Sequence, residues 1–235
     1  MAELNRSLNN SRFIVFGDVH GCNKAAETAI KLAEELSITA IFLGDYIDRG
    51  PNSVETLLKL IEAKKRNPDW VFIKGNHEFM LLNLLNDNSL IDTNEKLRTG
   101  DNYSYYETSK TYQNLVLTNT LFMDQVKLFL EELLLFYETP NWIFVHSVLN
   151  NDAIALQNKD EEVLLWNYNP NPKWLIKNYI HGHDRVNEIN QQGAGININT
   201  NCGFGGHLTG LLIDSENKQF IKSYHISEDG LLINI

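Results

Sequence analysis

The sequence predicts an α/β fold with a parallel sheet first, a β-rich antiparallel end, and a second sheet packed on the first. Two observations predict it. Over residues 13–73, short apolar runs alternate with helical patterns in the order strand–helix–strand–helix–strand, the pattern of parallel βαβ units. From Ile196 onward the period of apolar residues changes from that of a helix to that of a strand.

The elements follow in order. Residues 1–11 are polar and read as a loose N-terminus. Phe13–Phe16 is a buried strand. Asn23–Leu36 is a helix, with Asn23 as its N-cap and Ala26, Ile30 and Ala33 at helical spacing. Ala40–Leu43 is the second strand. Ser53–Lys65 is the second helix, started by Pro51 and Ser53. Val71–Ile73 is the third strand, and Glu78–Leu85 reads as helical. Residues 98–114, rich in Tyr, Thr and Asn, are left unassigned. Asp124–Phe136 reads as a helix, and Trp142–Val145 and residues 178–181 as strands. The segments GININTN, LTGLLID and FIKSYHI form the antiparallel ending, and residues 1–235 are read as a single domain.

Composition narrows the function classes. The chain has 235 residues, 43% hydrophobic and 21% charged, enough for a substantial core. Its formal charge of −10, with no visible basic patch, disfavours nucleic acid as a partner. If the substrate is anionic, local positive charge at the site must outweigh this global field. The apolar run Val126–Phe136 carries Lys127, Glu131 and Glu132 and is too short and charged to span a bilayer. With no membrane partner, no signal peptide and only Cys22 and Cys202, the sequence reads as a reduced, cytoplasmic protein with two buried free thiols.

The strand ends carry the chemistry. The first runs into Gly17-Asp18-Val19-His20-Gly21 and the second into Gly44-Asp45-Tyr46-Ile47-Asp48-Arg49-Gly50. The third runs into Gly75-Asn76-His77-Glu78, the fourth into His146, and the one near Tyr179 into His181-Gly182-His183-Asp184. Carboxyl ends of strands in open α/β sheets border the ligand crevice, so these residues can converge. Taken singly, each has a plain explanation: Asp184 reads as a turn or cap residue, His225 as a structural histidine, and Arg49 as half of a surface ion pair. Five strand ends handing over to Asp, Asn or His point jointly to a metal site. Imidazole, carboxylate and amide oxygen without thiolate suit hard or borderline divalent ions, and Asp45 is the natural bridge between two of them. Flanking glycines permit the backbone angles that such turns need.

These motifs resemble the calcineurin-like metallophosphoesterases, and GDYIDRG with GNHE is most similar to their phosphoprotein phosphatase branch. The resemblance spans about residues 13–213, including a closing segment at 199–209. It implies a β-sandwich of two mixed sheets flanked by helices in four αββα layers. It implies two divalent metal ions, with Asp18, His20 and His183 on the first, Asp45 bridging, and Asn76 and His146 on the second. His77 resembles the general acid, held by Asp48, and Arg49 the phosphate-binding arginine. Mn²⁺ is expected to support activity, with Fe, Zn, Co or Ni compatible with the same ligands. A metal-bridging hydroxide would then attack a phosphomonoester. The expected substrates are phosphoserine and phosphothreonine in proteins, or another small phosphoester.

The pattern departs from the family in three places. His146 is followed by Ser147-Val148, where relatives carry a small residue and glycine. Tyr168 stands after Trp166 where a second phosphate-binding arginine is expected. Tyr168 can donate one uncharged hydrogen bond to substrate, or it can be a rim aromatic. Arg185 or Lys173 can replace the arginine, or the clamp is lost. No asparagine–glycine–glycine segment precedes residues 101–114. A second reading is a dinucleoside polyphosphate hydrolase such as acts on diadenosine tetraphosphate, with Tyr103, Tyr105, Tyr106 and Tyr112 stacking bases. A third, from another class, is an inactive phospho-binding protein, and a nuclease is disfavoured by the charge.

Overall fold

The computed structural model describes residues 12–86, 103–149, 153–168, 177–216 and 219–234. The expected loose N-terminus and Lys173 lie outside them. Two sheets pack face to face with helices on both outer sides. Strand β1 (Arg12–Phe16), helix α1 (Asn23–Leu36), β2 (Thr39–Phe42), α2 (Ser53–Arg66) and β3 (Val71–Phe72) form parallel βαβ units. Helices α3 (Asn76–Asn86), α4 (Tyr103–Val116) and α5 (Thr120–Glu131) follow, then β4 (Phe136–Glu138) and β5 (Trp142–Val145). Two short helices, α6 (Ala153–Asn158) and α7 (Glu161–Trp166), lead to β6 (Asn178–His181), β7 (Asn190–Gln192) and β8 (Gly195–Asn197). The chain closes with β9 (His207–Asp214), β10 (Gln219–Ser227) and β11 (Leu232–Ile233). The sheet orders are β11-β10-β9-β1-β2-β3 and β4-β5-β6-β8-β7.

Alternation within the strands builds the layers. Phe13 and Val15 of β1 meet Ile41, Trp142, Phe144, Ile180 and Leu211 between the sheets. Ile14 and Phe16 point the other way, against Ala25, Ala29 and Ile30 of α1. Ile143 and Val145 of β5 bury their outer face against Leu149 and Leu164. With both faces covered, the strands read as continuous apolar runs, which is why they were legible.

Two expectations change, for Asp124–Phe136 and for Asn23. The β-rich ending mainly extends the first sheet. β9 pairs antiparallel with the free edge of β1, and only β8 of this region joins the second sheet, parallel to β6. Asp124–Phe136 is not one helix. Asn119 caps an earlier start at Thr120, its side chain accepting from Phe122 N at 2.8 Å. The chain then leaves the helix so that Leu134 pairs with β3, its N–H donating to Phe72 O at 3.0 Å. Asn23 is the first helical residue rather than the cap, and Cys22 precedes it. Among the described residues no helix is long and apolar enough to cross a membrane. Both cysteines are buried and free.

Candidate active site

Four of the five strand-end segments line one cleft of about 390 Å³, formed by His20, Asp45, Arg49, Asn76, His77, Ser104, Tyr168, His183, Asp184, Arg185 and Phe204, and the fifth brings the buried His146 beneath it, against Asp45, Asn76 and His183. Left-handed backbone at His20 (φ 43°), Asp45 (φ 49°), Asp48 (φ 70°), Arg49 (φ 67°) and His183 (φ 63°) turns these side chains inward. Such conformations are costly for residues with a Cβ and persist where surrounding bonds enforce them. Here Val19 N and His20 N donate to Asp45 O (3.0 and 2.8 Å), and Gly50 N donates to His20 O (2.8 Å). Gly182 leaves room for the Asp18 carboxylate, since a Cβ there would lie 2.0 Å from Asp18 Oδ1.

The histidine tautomers follow from their partners. A carbonyl only accepts, so His20 Nδ1–H donates to Ile47 O (3.1 Å) and His146 Nδ1–H donates to Leu43 O (2.9 Å). Both Nε2 atoms therefore face into the site, where each offers a lone pair when its imidazole is neutral. His20 Nε2 is 3.8 Å from Asp18 Oδ2 and 3.7 Å from Asp45 Oδ2. His146 Nε2 is 3.4 Å from Asp45 Oδ1 and 3.2 Å from His183 Nδ1. The Asn76 amide oxygen stands 3.1 Å from His146 Nε2 and 3.2 Å from His183 Nδ1 and from both Asp45 oxygens. Turned over, its nitrogen would donate to the same four atoms. With the oxygen inward, acceptors converge on acceptors, an arrangement that a cation reconciles. His20, Asp45 and His77 form one group of converging ligand atoms, and Asp45, His146 and His183 another. The residues thus fit two cations sharing Asp45.

His183 belongs with the second group. Its Nδ1 meets Asn76 and His146, whereas it reaches Asp18 only through its backbone N–H, 3.2 Å from each carboxylate oxygen. The expectation that it shares the first metal with Asp18 and His20 is corrected accordingly.

Burial and charge set the protonation of the metal-free site. Burial pushes Asp18 up to about 8, and the neighbouring Asp45 charge adds to the push. Burial also opposes the ionised form of Asp45, but His146 and His77 outweigh it and hold the carboxyl well below its usual range. His146 is lifted to about 9, the Asp45 charge overcoming desolvation. Desolvation lowers His20 to about 4 and His183 to about 3.

Beside the ligands, His77 Nδ1 donates to Asp48 Oδ2 at 2.5 Å, and its Nε2 lies 4.0 Å from Asp45 Oδ2. Burial lowers the His77 pKa, yet the charge of Asp45 and the hydrogen bond to Asp48 leave it raised. Arg49 Nη2 donates to Ser104 Oγ (2.9 Å). Tyr168 is 57% exposed, its ring centroid 4.3 Å from that of His183. It stands on the rim, and Arg185 shares that rim.

Several supporting residues had no assignment from sequence. Glu78 is fully buried and accepts from Asp45 N (2.8 Å), Gly75 N (3.0 Å) and Tyr46 N (2.8 Å), fixing the loop that carries the shared ligand. Asn199 Nδ2 donates to Asp18 Oδ2 (2.6 Å). Thr108 and Thr111 donate to the Asp48 carboxylate at 2.6 and 2.5 Å. Glu78 and Asn199 lay inside motifs already noted, while nothing in the sequence pointed to the threonines. Of the Tyr-rich stretch, only Ser104 lines the cleft among the described residues. Tyr112 packs on the core, and Tyr106 lies under the Lys110 ammonium. Ser147 and Val148 are buried, Ser147 Oγ donating to Val163 O (2.9 Å).

The model of the calcineurin-like phosphoesterase family matches residues 11–193, and the chain belongs to that family. Membership makes it a phosphoester hydrolase whose chemistry depends on metal ions. Among solved structures it is similar to a candidate diadenosine tetraphosphatase (TM-score 0.64, 20% identity, 92% of this chain and 93% of that one). It is also similar to a cold-active protein-tyrosine phosphatase of a psychrophile, Shewanella sp. (TM-score 0.56, 14% identity, 95% and 80%). A protein serine/threonine phosphatase from Saccharomyces cerevisiae matches with TM-score 0.53 and 17% identity, over 88% and 74%. At these identities the likeness establishes the fold: two mixed sheets flanked by helices.

Proposed function

We propose that the whole chain is one phosphatase domain of the phosphoprotein phosphatase type. It hydrolyses phosphomonoesters with two divalent ions, and phosphoserine and phosphothreonine in proteins are its first substrates. The observation that carries this reading is the convergence of two ligand groups on Asp45 beside the His77–Asp48 pair and Arg49. Asp18, His20 and Asp45 would hold one ion, and Asp45, Asn76, His146 and His183 the other. When bound, the ions supply an activated water and neutralise charge on the phosphoryl oxygens. Arg49 offers a planar fork to two of those oxygens. His77, kept protonated by Asp45 and Asp48, gives its proton to the departing alkoxide. Asp48 keeps the ring's orientation and charge and does not itself exchange a proton. Mn²⁺ is the proposed metal and the cytoplasm the proposed location.

A second reading, hydrolysis of a dinucleoside polyphosphate, is favoured by one observation: Phe204 and Tyr168 present exposed aromatic faces at the cleft mouth. The test is turnover by metal-stripped protein reloaded with Mn²⁺, on a phosphothreonine peptide, diadenosine tetraphosphate and p-nitrophenyl phosphate. Preference for the peptide supports the first reading, and preference for the dinucleotide supports the second. No turnover of any substrate by protein with bound metal leaves a phospho-binding protein without activity.

A further inference from the structure

Beside His20, whose ring meets that of Phe204 edge-on at 5.4 Å, the cleft carries an arrangement of which the reaction above uses only Arg49. The loop 201–206 holds Phe204 with its ring 42% exposed. Glu228, from the turn after β10, accepts from Gly203 N and Gly205 N, both at 2.8 Å. Gly203 lies so close to the first metal motif that a Cβ on it would be 2.6 Å from His20 Cβ. The ring is therefore fixed relative to the ligands. Arg49 and Arg185 both stack on it, their guanidinium carbons 5.7 and 4.3 Å from its centroid.

The two arginines differ in depth. Arg49 is half-buried and held by Ser104, whereas Arg185 is exposed and forms no ion pair with any described carboxylate. Arg185 is also preset by its backbone. Val186 N donates to Asn199 O (2.9 Å), and Asn201 Nδ2 donates to Val186 O (2.7 Å), stitching its segment to the loop that carries Phe204. A guanidinium lying on an aromatic face keeps its edge N–H groups for an anion, and fixing it beforehand lowers the cost of binding. The inner end of the cleft is filled by buried ligand side chains. Whatever is attached to the scissile phosphate must extend toward the rim, where Arg185 stands. A neutral alcohol has no use for a guanidinium there, but a second phosphate does.

We propose that Arg185, seated on Phe204, is a specificity-determining residue that binds a second phosphate next to the scissile one where the ligand carries it, and so raises affinity for linked phosphates over a single phosphate. This rests on the phosphoesterase reading of the same site. The test is calorimetric binding of inorganic phosphate and pyrophosphate to Mn²⁺-loaded protein, with free Mn²⁺ held in constant excess and bound metal measured afterwards. The wild type should bind pyrophosphate about tenfold more tightly than phosphate, the effect of one added charge-assisted contact. Arg185→Ala should bring the two within about twofold while leaving the phosphate Kd unchanged. Phe204→Leu should reduce the preference in the same direction. Both side chains are exposed, so an unchanged Tm is expected to verify folding. An unaltered preference in Arg185→Ala, or equal weakening of both anions, overturns the subsite. Wild-type protein that binds phosphate without preferring pyrophosphate sinks the subsite alone. Wild-type protein that holds metal yet binds neither anion sinks the phosphoesterase reading beneath it.

Discussion

Replacing Asp48 by asparagine removes a charge from the proton donor while keeping the side chain's shape. Asp48 is buried and accepts three hydrogen bonds, from His77 Nδ1, Thr108 Oγ1 and Thr111 Oγ1. Both threonine hydroxyls can rotate to accept from an amide nitrogen, and Thr108 already has Ser104 O as a second acceptor at 3.0 Å. The fold should therefore tolerate the change. His77 should not. Burial pulls its pKa down, and only Asp45 and Asp48 lift it. Without the Asp48 charge the imidazolium keeps only the support of Asp45 against burial, so its pKa falls and less of it is protonated to give a proton.

A positioned general acid contributes roughly 10²–10⁴ in rate when the leaving group needs a proton. Asp48→Asn should thus lower kcat/KM for an alkyl phosphate about 10³-fold, equivalent to about 4 kcal/mol. For p-nitrophenyl phosphate, whose leaving group departs without a proton, the loss should stay within about tenfold. The assay is kcat/KM across aryl and alkyl phosphates at saturating Mn²⁺. The variant's dependence on leaving-group basicity should be steeper than the wild type's. His77→Asn should give the same steep line, and the double variant should be no worse, because both changes remove one device. Parallel lines for wild type and Asp48→Asn would refute the proton-donor argument.

Further outcomes follow from the supports of the site. Glu78→Gln places an amide nitrogen against backbone N–H groups that now donate to a carboxylate. It should cost about 1–3 kcal/mol, read as a lower Tm with and without metal, and an unchanged Tm would contradict the supporting role. In metal-free protein Asp18 titrates at about 8 and His146 at about 9, so both carry protons at neutral pH and must release them to bind metal. Mn²⁺ affinity should therefore rise with pH up to about 9, and binding enthalpies at pH 7 should vary with the ionisation enthalpy of the buffer. Buffer-independent enthalpies would show that no proton leaves. Gly182→Ala drives a Cβ into the Asp18 carboxylate and should lower Mn²⁺ stoichiometry in a protein that still folds, measured by elemental analysis after gel filtration. Arg49→Ala should raise KM for phosphate esters more than it lowers kcat, and an unchanged KM would remove Arg49 from the phosphate clamp.

The first three strands and two helices were legible because local pattern and tertiary burial agree there. The failures have separate physical causes. Helix α4 carries no apolar stripe because part of its inner face is polar: Thr108 and Thr111 are buried to serve Asp48. Polar residues buried for a site look like surface when read from sequence. The run ending in Leu134-Leu135-Phe136 is apolar throughout, so periodicity could not locate the break between helix α5 and strand β4. The C-terminal strands announced themselves by alternation, but alternation does not say which edge they pair with. β9 lies beside β1 although nearly the whole chain separates them.

The convergence of the candidate ligands was legible for a different reason: each follows a strand, and strand ends share one rim of the sheets. Their charge also resolves the problem set by the acidic composition. Asp18, Asp45, Asp48 and Glu78 are all buried at or beneath the cleft floor, and among its described lining residues only Arg49 and Arg185 are permanent cations. A phosphate ester approaching the metal-free protein meets an acidic floor first, where burial and the Asp45 charge raise Glu78 to about 7 and Asp18 to about 8. Cations shared through Asp45 would reverse that local field while the chain as a whole stays acidic. The same carboxylates that repel the substrate are thus what make the floor receptive once metal is held. Both arginines lie against the ring of Phe204 at the cleft, and Arg185, exposed at the rim and in no ion pair with a described carboxylate, adds a cation where substrate enters.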